Sequence, residues 1–293
     1  MPPSSSSSPG SRSTPSTGTE AMRRLAVLGS PIAHSKSPGL HRAAYRLLGL
    51  DWEYSAIEMR GEGLGAFIEG RDASWRGLSL TMPLKQDVLP LLDEVEDLAV
   101  LAGAANTVLF DAGRRRGFNT DVAGIVRSLG EAGVTRVHRG VVIGGGATAA
   151  SALVALAELG AAHVRVLVRR PGAASDLVKL GTRLGLVVDE GRIDQLGRME
   201  DAELVVSTVP GGTELAVAAS DPLMRRATLL DVAYDPWPSP LAAGWIAAGG
   251  TVVHGLGMLL HQALIQVRIF VNGDPLAPLP DEDAVLSVMR ETL

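Results

Sequence analysis

Polar side chains able to do chemistry gather in four short clusters in the first half of the chain. They are His34-Ser35-Lys36-Ser37, Ser79-Leu80-Thr81-Met82-Pro83-Leu84-Lys85, Asn106-Thr107 and Asn119-Thr120-Asp121. Hydroxyls, amides, one lysine and one aspartate suit the gripping of a small polyol acid. A lysine and an aspartate can also handle a proton. Each cluster has a plain structural use as well: Ser37 and Asp121 as helix caps, Asn106 as a turn residue.

A fifth segment, Val141-Val142-Ile143-Gly144-Gly145-Gly146-Ala147-Thr148-Ala149, reads as a buried strand, a glycine turn and the start of an alanine-rich helix. This is the G-x-G-x-x-G/A pattern of a dinucleotide site, with Ala149 in the third place. Gly144 allows the tight turn. Gly146 has no side chain to hold off a pyrophosphate. The helix from Ala147 aims unpaired N–H groups at that anion. Beyond the next strand stand Arg169 and Arg170, where an NAD site would carry an acid. Two cations suit the extra phosphate of NADP instead. The second half offers few acid–base groups near its strand ends, Tyr234 and His254 being the candidates.

The elements that must position these groups alternate. Strands are expected at Leu25–Gly29, Trp52–Ile57, Leu78–Thr81 and Asn106–Phe110, with helices between. Ser37 is expected to cap a helix opening at Pro38 and stopping at Gly49. Asp93 and Glu96 read as a capping pair for the helix before Gly103. The Arg114-Arg115-Arg116 run reads as a solvated hairpin turn. Thr120 or Asp121 caps a helix to about Glu131 that links two halves. From Arg139 the strand–helix alternation repeats near 140–143, 164–168, 186–188, 204–208, 228–232 and 251–253, which fits a doubly wound parallel sheet. A helix from Leu256 to about Val271 and another from Asp281 close the chain.

With 293 residues the chain is comfortable for two domains, and 46% hydrophobic content supports a globular protein. A net charge of −5 does not suggest a nucleic-acid or anionic-membrane partner. With no cysteine, disulfides, thiolate catalysis and Cys–metal sites are excluded. The six histidines show no metal-ligand spacing. No apolar run approaches bilayer length. Residues 1–21, rich in Ser, Pro, Thr and Gly and without a signal-peptide core, are expected to be disordered.

Taken together, the motifs resemble the shikimate dehydrogenase family (shikimate/quinate dehydrogenases). The resemblance lies in Gly29-Ser30-Pro31-Ile32-Ala33-His34-Ser35-Lys36-Ser37-Pro38, Ser79 to Lys85, Gly103-Ala104-Ala105-Asn106-Thr107, Asn119-Thr120-Asp121, and Gly255-Leu256-Gly257-Met258-Leu259 through Gln262. These occur in the family's order and span roughly residues 24–270. The resemblance implies an α/β fold: an N-terminal α/β substrate domain over 22–122, a Rossmann-type NADP-binding domain over 123–255, and C-terminal helices over 256–293 returning to the first domain. It implies a cytoplasmic enzyme, possible as a homodimer, that reduces 3-dehydroshikimate reversibly with NADPH in aromatic amino-acid biosynthesis.

Carried over by position, Lys85 would be the acid–base residue and Asp121 its partner. Ser35 and Ser37 would hold the substrate carboxylate, with Tyr234 nearby. Thr81, Asn106, Asp121 and Gln262 would bind hydroxyls. Gly144, Gly145, Gly146, Ala147 and Thr148 would bind the pyrophosphate, Arg169 and Arg170 the 2′-phosphate, and Val232 and Gly255 would lie near the nicotinamide. Two departures stand out. The family usually has Asn where this chain has Ser79, a substrate contact, and Asn-Arg-Thr where it has Val168-Arg169-Arg170. Quinate or dual quinate/shikimate turnover is the sister reading, and a non-catalytic NADP(H)-binding regulator the reading from another class. The site should lie between the halves, with hinges near 120–123 and 254–256.

Overall fold

Runs of buried apolar residues place the strands, and the two halves of the chain build separate sheets. The structure is a computed structural model describing residues 22–293. The expected disorder of 1–21 falls outside the described residues. The first sheet has six strands: β1 (Arg23–Gly29), β2 (Trp52–Glu58), β3 (Trp75–Leu80), β4 (Glu94–Val95), β5 (Thr107–Asp111) and β6 (Arg114–Phe118). Its order is β2-β1-β3-β5-β6-β4. β1 pairs in parallel with β2 and β3, whereas β5 runs antiparallel to β3 and β6. Helices α1 (Ser37–Leu47), α2 (Leu64–Glu69), α3 (Leu84–Asp87) and α4 (Asp97–Ala102) connect them.

Helix α5 (Asp121–Glu131) leads to the second sheet, made of β7 (Arg139–Ile143), β8 (His163–Val168), β9 (Val187–Arg192), β10 (Leu204–Ser207), β11 (Thr228–Asp231) and β12 (Val252–His254). All its pairings are parallel, in the order β12-β11-β10-β7-β8-β9. This is the doubly wound arrangement, whose ligand crevice opens where the winding reverses, beyond the ends of β7 and β10. Helices α6 (Ala147–Glu158), α7 (Ser175–Leu184), α8 (Asp221–Arg226) and α9 (Pro240–Ala247) cover it. Strands buried on both faces read as near-continuous apolar runs, which is why Val141–Ile143 and Leu204–Val206 stood out in the sequence.

The last two helices, α10 (Gly255–Asn272) and α11 (Glu282–Arg290), pack back on the first sheet. Leu260, Leu264, Val267 and Phe270 share a core with Leu25, Val27, Tyr45 and Trp52, and Val285 and Met289 join it from α11. α5 runs along α10 and faces both halves: Val122, Ile125 and Leu129 enter the second core, Ala123 the first. No helix among the described residues is long and apolar enough to cross a membrane.

Four local expectations are corrected. Ser37 is the first residue of α1 rather than its cap, and Ser35 Oγ accepts from the Ser37 N–H at 3.4 Å. Asp93 and Glu96 do not form a capping pair: Asp93 binds Arg115, and Glu96 accepts from the Asn119 N–H. Arg114, Arg115 and Arg116 lie on β6, paired with Glu94 and Asp93, because the turn falls at Ala112-Gly113 with φ of 49° and 77°. Thr120 precedes α5 without capping it, since its hydroxyl turns to Asn106.

Candidate active site

A cleft of about 400 Å³ opens between the two sheets; the first two polar clusters line it, whereas Asn106, Thr107, Asn119, Thr120 and Asp121 are buried and do not line it themselves. Ser35 and Ser37 reach it from the loop after β1 and the first turn of α1. Ser79 and Thr81 come from the end of β3, Lys85 from α3, Gln262 from α10, and Thr148, Val232, Tyr234 and Gly255 from the second half.

Lys85 and Asp121 meet at one wall. Lys85 Nζ lies 2.6 Å from Asp121 Oδ2, with side chains only 12% and 4% exposed. The partnership is built by backbone as well as charge. The Lys85 carbonyl accepts from the Ala105 N–H at 2.8 Å, tying α3 to the segment before β5 that carries Asn106. Asn119 Oδ1 accepts from the Asp121 N–H at 3.0 Å, which sets the start of α5. There the positive end of the helix dipole favours the carboxylate. Asp121 Oδ1 accepts from Asn106 Nδ2 at 2.8 Å, so both carboxylate oxygens are engaged. Asn106 itself is buried, with its amide oxygen accepting from the Thr120 N–H at 2.9 Å and its amide nitrogen also reaching Thr120 Oγ1 and Gln262 Oε1.

Lys85 has a second contact, to Thr148 Oγ1 at 3.3 Å. Thr148 sits in the first turn of α6, so this contact joins the two halves at the reacting wall. An ammonium has three hydrogens. Two are directed to Asp121 and Thr148, which leaves one for an oxygen in the cleft.

The glycine turn behaves as its spacing suggests. Gly144 has φ +118°, and a Cβ there would meet Thr208 Oγ1 at 2.3 Å. Nothing lies within 4 Å of where a Cβ on Gly146 would sit, and no side chain caps α6. The first-turn N–H groups therefore face open space, a fit for a pyrophosphate. Arg169 and Arg170 are exposed just beyond β8, the strand next to β7. With Gly144, Gly145, Gly146 and Ala147 they do not line the cleft itself but lie on its second-half side. Gly255 has a packing reason of its own, since a Cβ would meet the Val232 carbonyl oxygen at 2.3 Å.

One first-half side chain reaches across the cleft to the second half. His34 Nδ1 lies 3.2 Å from Asp235 Oδ2. Burial pushes the Tyr234 phenol above its ordinary value. His254, the other candidate from the second half, turns out to be a helix cap: its Nδ1 accepts from the Leu256 N–H at 3.0 Å and its ring lies against Trp237.

Sequence reasoning missed two groups. Ser151 on α6 accepts from Asn119 Nδ2 at 3.0 Å, a second link between halves. His41, Tyr54 and Gln266 form a buried cluster with Ser79. Only the four-residue spacing of Gln262 and Gln266, one face of a helix, signalled the last of these in the sequence.

The family model for the shikimate dehydrogenase substrate binding domain matches residues 27–108. A shikimate dehydrogenase (NADP(+)) of Methanothermobacter thermautotrophicus is 33% identical over 273 residues, covering 90% of this chain and 96% of that protein. The chain belongs to the shikimate dehydrogenase family. Within that family, the crystal structure of the Mycobacterium tuberculosis shikimate dehydrogenase is 40% identical with a TM-score of 0.78, covering 92% of this chain and 99% of the other. The Thermus thermophilus shikimate 5-dehydrogenase, solved in complex with NADP(H) and shikimate, is 32% identical with a TM-score of 0.77, over 92% and 100% of the two chains. The sequence resemblance and the α/β reading thus agree with what the shikimate dehydrogenase relatives show.

Proposed function

We propose that this chain is an NADP-dependent shikimate dehydrogenase, interconverting 3-dehydroshikimate and shikimate in the cleft between its sheets. The observation that carries the reading is the buried Lys85–Asp121 pair, held on the first half and touched by Thr148 of the glycine-turn helix. A non-catalytic regulator has no use for such a pair aimed into a cleft. The relatives named above, one of them solved with NADP(H) and shikimate, support the same substrate and cofactor.

In this reading residues 22–122 with the helices of 256–293 hold substrate, and 123–255 hold the cofactor. Gly144, Gly145, Gly146, Ala147 and Thr148 receive the pyrophosphate at the start of α6, and Arg169 and Arg170 receive the 2′-phosphate. Val232 and Gly255 border the nicotinamide. When bound, NADP(H) supplies or takes the hydride. Ser35, Ser37 and Tyr234 hold the carboxylate of the substrate, while Thr81, Asn106, Asp121 and Gln262 take its hydroxyls. Lys85 donates its remaining ammonium hydrogen to the carbonyl oxygen as that oxygen gains charge, and receives the proton back in the oxidative direction. Asp121 keeps the ammonium aimed, its own orientation fixed by Asn106. His34, paired with Asp235 across the cleft, limits entry of water.

The test is an initial-rate assay with shikimate and quinate crossed against NADP and NAD. Shikimate with NADP should be the fastest combination. Binding of NADPH with no turnover of 3-dehydroshikimate would favour the regulator, and equal rates with both acids would assign dual specificity.

A further inference from the structure

A buried chain of hydrogen bonds beneath the cleft sets the direction in which Ser79 can bond. Gln266 Nε2 lies 3.2 Å from the carbonyl oxygen of Asn106, a group that can only accept. Its other hydrogen goes to Thr107 Oγ1 at 3.0 Å. The amide oxygen of Gln266 is thereby turned to the opposite side. It meets Ser79 Oγ at 2.9 Å and His41 Nε2 at 3.2 Å, and both must donate to it. His41 therefore carries its hydrogen on Nε2, and its Nδ1 accepts from the Tyr45 hydroxyl at 3.1 Å. Burial lowers the His41 pKa to about 3, so the ring is neutral, as a single N–H requires. Its ring stacks on Tyr54 at 4.1 Å, which locks its orientation. With its proton given to Gln266, Ser79 can only accept from the Tyr54 hydroxyl, at 2.7 Å. A serine hydroxyl has one hydrogen and two lone pairs. One lone pair is all that Ser79 has left, and both Ser79 and Gln266 line the cleft.

We propose that Gln266, backed by His41, is a positioning residue for specificity: it holds Ser79 as a pure hydrogen-bond acceptor. The cleft then selects a ligand that carries a hydroxyl donor facing Ser79 and disfavours a carbonyl, an ether or a second carboxylate there. The inference rests on the shikimate reading of the site and deepens it. The side-chain amide usual in the family at this position can both donate and accept. Ser79 in this setting can only accept, so the polarity of the subsite is set by groups that never touch the ligand's reacting atoms. A buried acceptor facing an acceptor leaves both unpaired, and that penalty is what discriminates.

The experiment compares kcat and KM of wild type, Ser79→Ala and Gln266→Met on shikimate, on its two derivatives that each lack one of the ring hydroxyls not oxidised in the reaction, and on the two analogues that carry a carbonyl in place of one of them. For one derivative, wild type should lose about tenfold in kcat/KM, mostly in KM, the upper range for one neutral hydrogen bond. Ser79→Ala should lose a similar factor on shikimate and nothing further on that derivative, because both partners are then gone. Gln266→Met, which frees the serine hydroxyl to rotate and donate, should ease the loss on the carbonyl analogue at that position while leaving the loss on the deoxy derivative. A Ser79→Ala penalty equal on shikimate and both deoxy derivatives overturns the proposal, as does a folded, NADPH-binding Gln266→Met variant that rejects the carbonyl analogue as strongly as wild type does. If Gln266→Met does not fold, wild type decides: the carbonyl analogue should be a poorer substrate than the deoxy derivative, because an acceptor then faces an acceptor, and a carbonyl analogue as good as shikimate overturns the proposal. Absence of any shikimate turnover by wild type would remove the functional reading along with this one, whereas turnover with a uniform penalty removes this one only.

Discussion

Lys85 is where one side chain matters most. It is the ammonium with a hydrogen left for a ligand oxygen, its other contacts being Asp121 in its own half and Thr148 in the second. Lys85→Ala should lower kcat by about 10²–10⁴-fold, the range for loss of a general acid–base group. Steady-state kinetics on a variant shown to be folded checks this, and retention of more than about a tenth of the wild-type rate would contradict the role. Arg169 acts on the cofactor instead. Exposed at the end of β8, it can make a charge-assisted bond worth about 1.5–3 kcal/mol to a phosphate. Arg169→Ala should therefore weaken NADP by one to two decades while sparing NAD, as read by calorimetry; equal losses for both cofactors would refute a 2′-phosphate contact. The candidate residues at this scale were legible through their motifs, which resemble the family's in type, spacing and order; their types alone have plain structural uses too. The hydrogen-bond partners of Ser79 were not, since positions 41, 54, 79 and 266 share no periodicity and meet only through packing.

Among the elements, the β7–α6 unit is the one whose local sequence leaves least choice. Gly144 leaves the strand at φ +118° with Thr208 pressed against it, so any side chain there is both strained and crowded. Gly144→Ala should cost roughly 1–3 kcal/mol of stability and weaken NADP. Chemical denaturation and cofactor titration report the two effects, and a variant normal in both would show that the loop accommodates a methyl group. Element types were readable in advance because buried parallel strands run apolar and helices between them carry their own periodicity. Caps and turns were read less well. Ser37 and Thr120 are good capping residues that lie beside helix starts without capping them, because tertiary partners or a shifted helix start took precedence. The arginine run was misplaced because Ala112, a non-glycine residue at positive φ, occupies the turn.

The whole molecule is two sheets joined by α5 and by the return of α10 and α11, and that closure buries groups that a single half would leave wet. His41 is the plainest case: α10 covers it with Gln266 and Phe270. In the unfolded chain it titrates at its ordinary 6.5, and in the fold burial lowers this to about 3. Between those values only the unfolded chain takes the proton. The stability present above pH 6.5 is thus lost as pH falls toward 3, by about 1.4 kcal/mol per unit. Urea unfolding at pH 7.5 and 5 should show wild type losing about 2 kcal/mol more than His41→Phe, other groups cancelling in the difference; equal losses would mean the ring is protonated in the native state. The amino-acid sequence alone determined the element types, the glycine turn, the two-cation signal for NADP and the family, because strand and helix patterns and short motifs are local properties of the chain. Only the tertiary structure decided that Lys85, Asp121 and Thr148 share one wall and that Ser79 faces the cleft with a single lone pair. Those facts depend on where α3, α5, α6 and α10 come to rest against one another, and that is set by core packing between residues far apart in the chain.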